Sequence, residues 1–527
     1  MKKYYISVVS LVAACVAFAE IKLPAIFDSN MVVQQQMPIN IWGTAKPKSE
    51  VMANFNSKYT KTKADSDGNW KMTLPAEKAS FKERSLTLFE DGVPSLELKN
   101  VLVGEVWIAG GQSNMEWRVY ASADKKKAEA NAEKNRGKFR YFAQSSHCAA
   151  PKPMSEFHKD SKWIVVDGKN VGTVSAVGYY FAERLLADLN VPVALIYAAQ
   201  GATEMKCWTS REDLEKLGWL AEHLSKFEKE TAAYDEAAYQ KMLAEFKAKD
   251  EAYKKAVERA KKEGKPKPAR ARWDDGIRPN KLTPWFTFRS PYLNFNGFIA
   301  PLKNLSVRGV IWYQGESDAN ATWAPHYTES FGAMIKSWRE SLKNPDLPFI
   351  QVQLASFKNG GKWERWADAR AAQFENTKAY KNVFMACIID CGEKHQIHPA
   401  DKTTPGSRLE KIALEKVYGK KGLLSIAPSL KEVVYKGSSA VVTFDLFGTS
   451  LTSKGKPRGF EILVGENWVP ADAELLNEAV LVKAKDGAEI KGVRYLWKDW
   501  ARPDVWLFGK QGLPVVPFRS VAKDASK

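Results

Sequence analysis

Cysteine, histidine and acidic side chains are all scarce in this 527-residue chain, and each shortage removes a class of function. Only five cysteines are present, and their spacing suggests no zinc site, since a second pair is lacking, so no metal is expected. A histidine base must be one of His147, His158, His223, His326, His395 and His398. Acidic residues number 61 against 79 Lys and Arg, a formal net charge of +18. Much of that excess lies between Lys247 and Arg272, interleaved with Asp250, Glu251, Glu258 and Glu263, as on a solvated helix followed by a basic linker. No nucleic-acid-binding module is present, so nucleic acid is not an expected partner. Attraction to anionic glycans or cell surfaces stays open.

Long hydrophobic runs are also missing. Tyr4 to Val16 is apolar but falls short of the about 20 residues that span a bilayer. With Lys2 and Lys3 before it and Ala17-Phe18-Ala19 after it, the segment reads as a signal peptide over residues 1–19, and the protein as exported. Val12-Ala13-Ala14-Cys15 offers an alternative, lipid anchoring through Cys15. Cleavage at residue 19 leaves Cys148, Cys207, Cys387 and Cys391, which form either two disulfides or buried free thiols.

What is present suggests several domains, since one usually takes about 100–200 residues. From 20 to 100 short strand-like runs such as Trp70 to Leu74 alternate with turns at Asp67-Gly68 and Asp91-Gly92, as in a β-sandwich. From 101 to 421 the rhythm changes. Val101–Gly110, Val191–Tyr197, Val307–Tyr313 and Phe349–Val352 are nearly continuous apolar runs separated by helical stretches near Gly178–Asp188 and Tyr327–Leu342. That alternation predicts an α/β fold with a parallel sheet covered on both faces. A helical insertion rich in Ala, Glu and Lys interrupts it at about 209–290. Strands return over 422–527, predicting a C-terminal β domain.

Chemistry in such a sheet gathers where strands end. Three loops qualify. Gly110-Gly111-Gln112-Ser113-Asn114-Met115 places a serine at a strand-to-helix junction, either as a helix cap or as a nucleophile near outward-pointing amides. Ala199-Gln200-Gly201-Ala202-Thr203 offers a glycine N–H, or a plain turn. Trp312-Tyr313-Gln314-Gly315-Glu316-Ser317-Asp318 offers an amide donor in Gln314, and in Glu316 an acid or a structural anchor. His395 and His398 stand in a later loop, before a helix near Ser407–Val417.

Taken in order, these blocks resemble the sialate O-acetylesterase branch of the SGNH hydrolases. Leu23-Pro24-Ala25-Ile26-Phe27-Asp28 resembles the opening of that family's β domain, and Gly512-Leu513-Pro514-Val515-Val516-Pro517-Phe518-Arg519 its close. Gly111-Gln112-Ser113-Asn114-Met115, Gly309-Val310-Ile311-Trp312-Tyr313-Gln314-Gly315-Glu316-Ser317 and Ile397-His398-Pro399 are the central motifs. The resemblance implies a three-layer esterase domain that removes acetyl groups from carbohydrates, whether sialic acid or a plant polysaccharide such as xylan or xyloglucan. It implies Ser113 as nucleophile, His398 as base, an oxyanion hole of the Ser113 and Gly201 N–H groups with the Gln314 side chain, and no need of a metal or organic cofactor. Asn114 and Glu316 support the site structurally.

Two departures stand out. The family's Asp upstream of the histidine is missing, since His395 and Gln396 stand there; Asp390 is the expected acid, with Glu393 or a Ser–His dyad as alternatives. Ala202 replaces the second glycine of a usual pair. Trp117, Trp208 and Trp312 are candidate sugar platforms, and Arg118 and Arg211 candidate carboxylate partners. Two other readings remain: a glycan-binding protein with a decayed site, and a glycosidase using Glu316.

Overall fold

The computed structural model describes residues 21–145, 148–233, 235–268, 289–358, 360–361 and 364–522. The expected signal peptide with Cys15, His147 and the 269–288 part of the insertion lie outside the described residues.

One 19-residue strand, Val93–Gly111, organises the molecule. Its first half pairs antiparallel with Ser80–Glu90, and at Leu102–Gly104 it also pairs parallel with Val32–Gln34. From Val101 onward every residue is buried, because sheet neighbours flank it and helices cover both faces; the unbroken apolar run is the sequence trace of that burial. The sheet runs Val383–Ala386, Phe349–Val352, Gly309–Tyr313, Val93–Gly111, Val193–Ala199, Phe139–Ala143, Lys162–Val165. All neighbours are parallel except the last pair, which is antiparallel.

Alternate residues of these strands feed two cores. Trp107, Ala109, Ile311 and Tyr313 face Phe181 and Leu185 of the helix Ala176–Leu189, and Leu409 and Ile412 of Thr403–Ile412. Val106, Ile108, Val310 and Trp312 face Phe331, Met334 and Trp338 of Tyr327–Ser341. The result is the expected α/β three-layer arrangement with flanking β sheets. The Phe349–Val352 strand and the Tyr327 helix start where the apolar runs place them.

The insertion is helical at Arg211–Leu214, Ala221–Ala232 and Glu236–Lys262. It seats Leu214, Leu217, Leu220, Leu224 and Phe227 against Tyr292 and Leu293. The C-terminal part pairs two four-stranded sheets around Val442, Phe460, Tyr495 and Phe518. Its 499–502 loop reaches back to the sheet: Arg502 donates to the carbonyls of Asp390 (2.6 Å) and Gly392 (2.8 Å). All four described cysteines are free thiols; burial pushes the Cys387 thiol up to about 12, and its Sγ faces Gln353 Oε1 rather than Cys391. No helix among the described residues is long and apolar enough to cross a membrane.

Candidate active site

The serine turn depends on its glycines. Gly111 has φ 138°, and a Cβ there would lie 2.2 Å from the Tyr313 carbonyl oxygen. A side chain would drive the two strand ends apart. Gln112 then joins the loops: its N–H donates to Tyr313 O (2.9 Å), while its Oε1 accepts from the Gly315 (3.2 Å) and Ser317 (3.3 Å) amides. Gln112 is also the N-cap of the short helix Ser113–Glu116. Ser113 is therefore the first helical residue and not its cap, which leaves the hydroxyl free of the capping role.

Asn114 connects this turn to the histidine loop. Its Nδ2 donates to the Ile397 carbonyl at 3.0 Å and to Glu316 Oε1 at 2.5 Å, and its Oδ1 accepts from Lys402 Nζ. The neighbour of Ser113 is thus bonded to the neighbour of His398. The His398 ring stacks on Trp117, with centroids 5.0 Å apart and planes inclined by 26°. Burial, followed by the charge of Lys402, holds the imidazole pKa below its ordinary value.

Gly201 lies beside the serine: a Cβ built on it would be 3.4 Å from Ser113 Cβ. Its N–H donates to Glu116 Oε2 at 2.8 Å. Ala202, the residue that departs from the family pattern, takes a left-handed φ of 58°. Gln314 is 0% exposed. Its amide N–H groups are committed to Thr203 O (3.0 Å) and the Asp318 carboxylate, and its Oε1 accepts from Tyr327 OH (3.2 Å). The amide braces two turns, so donating to an oxyanion would require it to give up one of those bonds. Burial pushes the Asp318 carboxyl up to about 7.

Other expected residues are held by partners within the protein. Asp390 accepts both guanidinium arms of Arg408, at 2.6 and 2.7 Å, and that ion pair takes up its carboxylate instead of the histidine. Trp208 and Trp312 are 0% exposed and pack edge-to-face in the core, where no sugar reaches them. Of the three tryptophans only Trp117 borders the site. Glu316 is 2% exposed and bound to Asn114, the arrangement of an anchor, not of a glycosidase acid meeting its substrate. Arg118 donates to Tyr141 OH and Thr173 O (both 3.1 Å), and Arg211 pairs with Glu215 and Glu228.

Two residues were missed. Glu116 follows the serine motif by one residue and reads as an exposed helix acid. Lys402, four residues after His398, reads as one of many surface lysines, yet it is 1% exposed. Only the spacing of Lys402 from the histidine offered a signal.

A family profile described as carbohydrate esterase, sialic acid-specific acetylesterase matches residues 103–267 and 282–408, more than half of the chain. The chain belongs to this carbohydrate esterase family. The esterase is 24% identical over 515 residues to sialate O-acetylesterase of Homo sapiens, covering 90% of this chain and 87% of that one. It is 25% identical over 523 residues to the Mus musculus sialate O-acetylesterase, with 90% and 89% covered. Among solved structures, a carbohydrate acetylesterase from Xanthomonas citri superposes with a TM-score of 0.78 at 31% identity, covering 95% of this chain and 99% of that one. The enzyme is accordingly a carbohydrate O-acetylesterase, and the decayed-site and glycosidase readings fall away.

Proposed function

We propose that the esterase works through an acetyl-enzyme formed on Ser113. His398 takes the hydroxyl proton as Ser113 attacks the acetyl carbonyl, then returns it to the departing sugar alcohol; water attacks the acetyl-serine and releases acetate. The Ser113 and Gly201 N–H groups hold the oxyanion, Glu116 giving up its bond to Gly201 as the carbonyl enters. Each well-placed donor is worth about 3–4 kcal/mol in the transition state. Gln314 serves by fixing the turn that carries Gly201. The observation that carries this reading is the 3.0 Å bond from Asn114 to Ile397, which ties nucleophile and base together through their immediate neighbours.

No carboxylate is assigned to His398. Trp117 orients the ring by stacking, so the pair acts as a dyad. The substrate class is O-acetylated neutral glycan in preference to sialate, because Arg118 and Arg211, the two arginines that the sequence offered for a sialate carboxylate, are engaged with other groups. The leader-like residues 1–19 support export, where such glycans are met. Acetate release from a panel of acetylated xylan, acetylated xyloglucan and 9-O-acetyl sialic acid, with Ser113→Ala beside the wild type, tests the proposal. Neutral glycans should be favoured and the variant inactive; a preference for the sialate sinks the substrate assignment.

A further inference from the structure

Lys402 has a surrounding unlike that of any surface lysine. It precedes the helix Thr403–Ile412 and is buried to 1% exposure. Its Nζ lies 5.6 Å from the Tyr313 ring centroid and 5.9 Å from that of Trp117. Among the described residues it makes no ion pair; its hydrogen bond goes to Asn114 Oδ1. Burial pulls the Lys402 pKa down to about 7, so the ammonium is the prevailing form below neutral pH, and there it carries a desolvation cost of several kcal/mol that a gain elsewhere must offset.

The gain lies in the Asn114 amide. An asparagine amide has one accepting end and one donating end. Here the accepting end meets a donor-only ammonium, and the donating end meets a carboxylate and a carbonyl, Glu316 Oε1 and Ile397 O. Turning the amide over would set N–H against ammonium and oxygen against two acceptors. Lys402 and Glu316 therefore polarise the amide from opposite ends and permit one orientation, the one that bonds the serine turn to the histidine loop.

We propose that Lys402 is a positioning residue for acetyl transfer: its buried Nζ fixes the Asn114 amide that sets Ser113 against His398. This rests on the reading of His398 as the base. The charged and titratable groups facing this cluster are Glu316 in the loop after the Gly309–Tyr313 strand, Tyr313 itself, and Asp401 and Glu393 on the histidine loop. Asp390 and Cys391 lie beyond, the former held by Arg408. Of the groups acting on His398, Lys402 is the one that depresses its proton affinity by charge.

The test is the pH dependence of kcat/KM for Lys402→Met and Lys402→Arg in the full-length enzyme, with kcat and KM separated. Lys402→Met should lower kcat about tenfold with KM unchanged, and should move the acid limb up toward the about 6.5 of an ordinary imidazole. Lys402→Arg should restore the wild-type limb. A folded Lys402→Met with wild-type kcat and limb overturns the proposal, as does an arginine variant whose limb matches that of the methionine variant. Should Lys402→Met not fold, Asn114→Asp sets a carboxylate against the ammonium and must raise the limb; an unmoved limb overturns the proposal equally. Loss of the limb in His398→Ala is a separate requirement, and its failure would refute the base assignment instead.

Discussion

Glu116 Oε2 accepts the Gly201 N–H at 2.8 Å, directly beside Ser113. In the proposed mechanism this carboxylate oxygen occupies the donor that the oxyanion needs, so Glu116 must give way as the acetyl carbonyl enters. A hydrogen bond to a charged acceptor exceeds one to a neutral acceptor by about 1 kcal/mol. Glu116→Gln should therefore raise kcat/KM on a neutral acetyl ester roughly fivefold, the rate equivalent of about 1 kcal/mol. Steady-state kinetics of the variant decide it. A fall in kcat/KM would mean that Glu116 instead holds the Gly201 turn in its active shape.

Ala202 stands at φ 58°, a conformation that costs an L-residue about 1–2 kcal/mol and glycine almost nothing. Part of that is offset by the greater chain entropy glycine has when unfolded. Ala202→Gly is expected to stabilise the protein by about 1 kcal/mol, read as a higher denaturant midpoint. An equal or lower midpoint would show that the Ala202 methyl makes contacts worth more than the strain.

Asp390 tests whether a triad acid operates. Removing the aspartate of a Ser-His-Asp triad lowers kcat about ten-thousandfold. With its carboxylate on Arg408, Asp390→Asn should cost stability instead. Breaking a buried pair costs about 3–5 kcal/mol, and the partial exposure of this one places it toward or below the lower end. Activity per folded molecule should stay within about tenfold of wild type. Thermal melts and kcat on the same preparation separate the two; a ten-thousandfold loss with an unchanged melt would restore Asp390 to the triad.

His398 must be neutral to act as base, and burial together with the Lys402 charge depresses its pKa. The sign follows directly: activity falls as pH drops through the depressed His398 value, and it declines again as pH rises through about 7, where Lys402 gives up the proton that positions Asn114. The acid limb of kcat/KM should therefore lie below the about 6.5 of an unperturbed imidazole. A limb at or above that value would contradict the environment described for His398.

The contrast between residues found and missed has a physical pattern. The sheet was legible because strands buried on both faces need unbroken apolar runs, as Val101–Gly110 shows. The placement of Ser113 at a strand end and of His398 in the loop facing it was legible because their motifs mark those positions. Roles set by contacts between distant loops were not. Asp390 ends an apolar run, as a triad acid does, but Arg408 reaches it from a helix 18 residues on. Gln314 has the right chemistry for an oxyanion donor, yet Thr203 and Asp318 take its amide. Trp312 lies next to a motif, and its inward place in a fully buried strand rules out a sugar platform. Lys402 resembles every other lysine until Trp117, Tyr313 and Asn114 close over it.

The most direct test of the account is to expose His398→Ala enzyme to an activated acetyl ester, digest it and locate any acetyl group by mass spectrometry. Without its base, the enzyme can still be acetylated by a reactive ester but deacetylates slowly, so the adduct should accumulate on the peptide carrying Ser113 and be absent from the Ser113→Ala, His398→Ala double variant. An adduct on another residue, or full acetate release by Ser113→Ala alone, would contradict the serine mechanism.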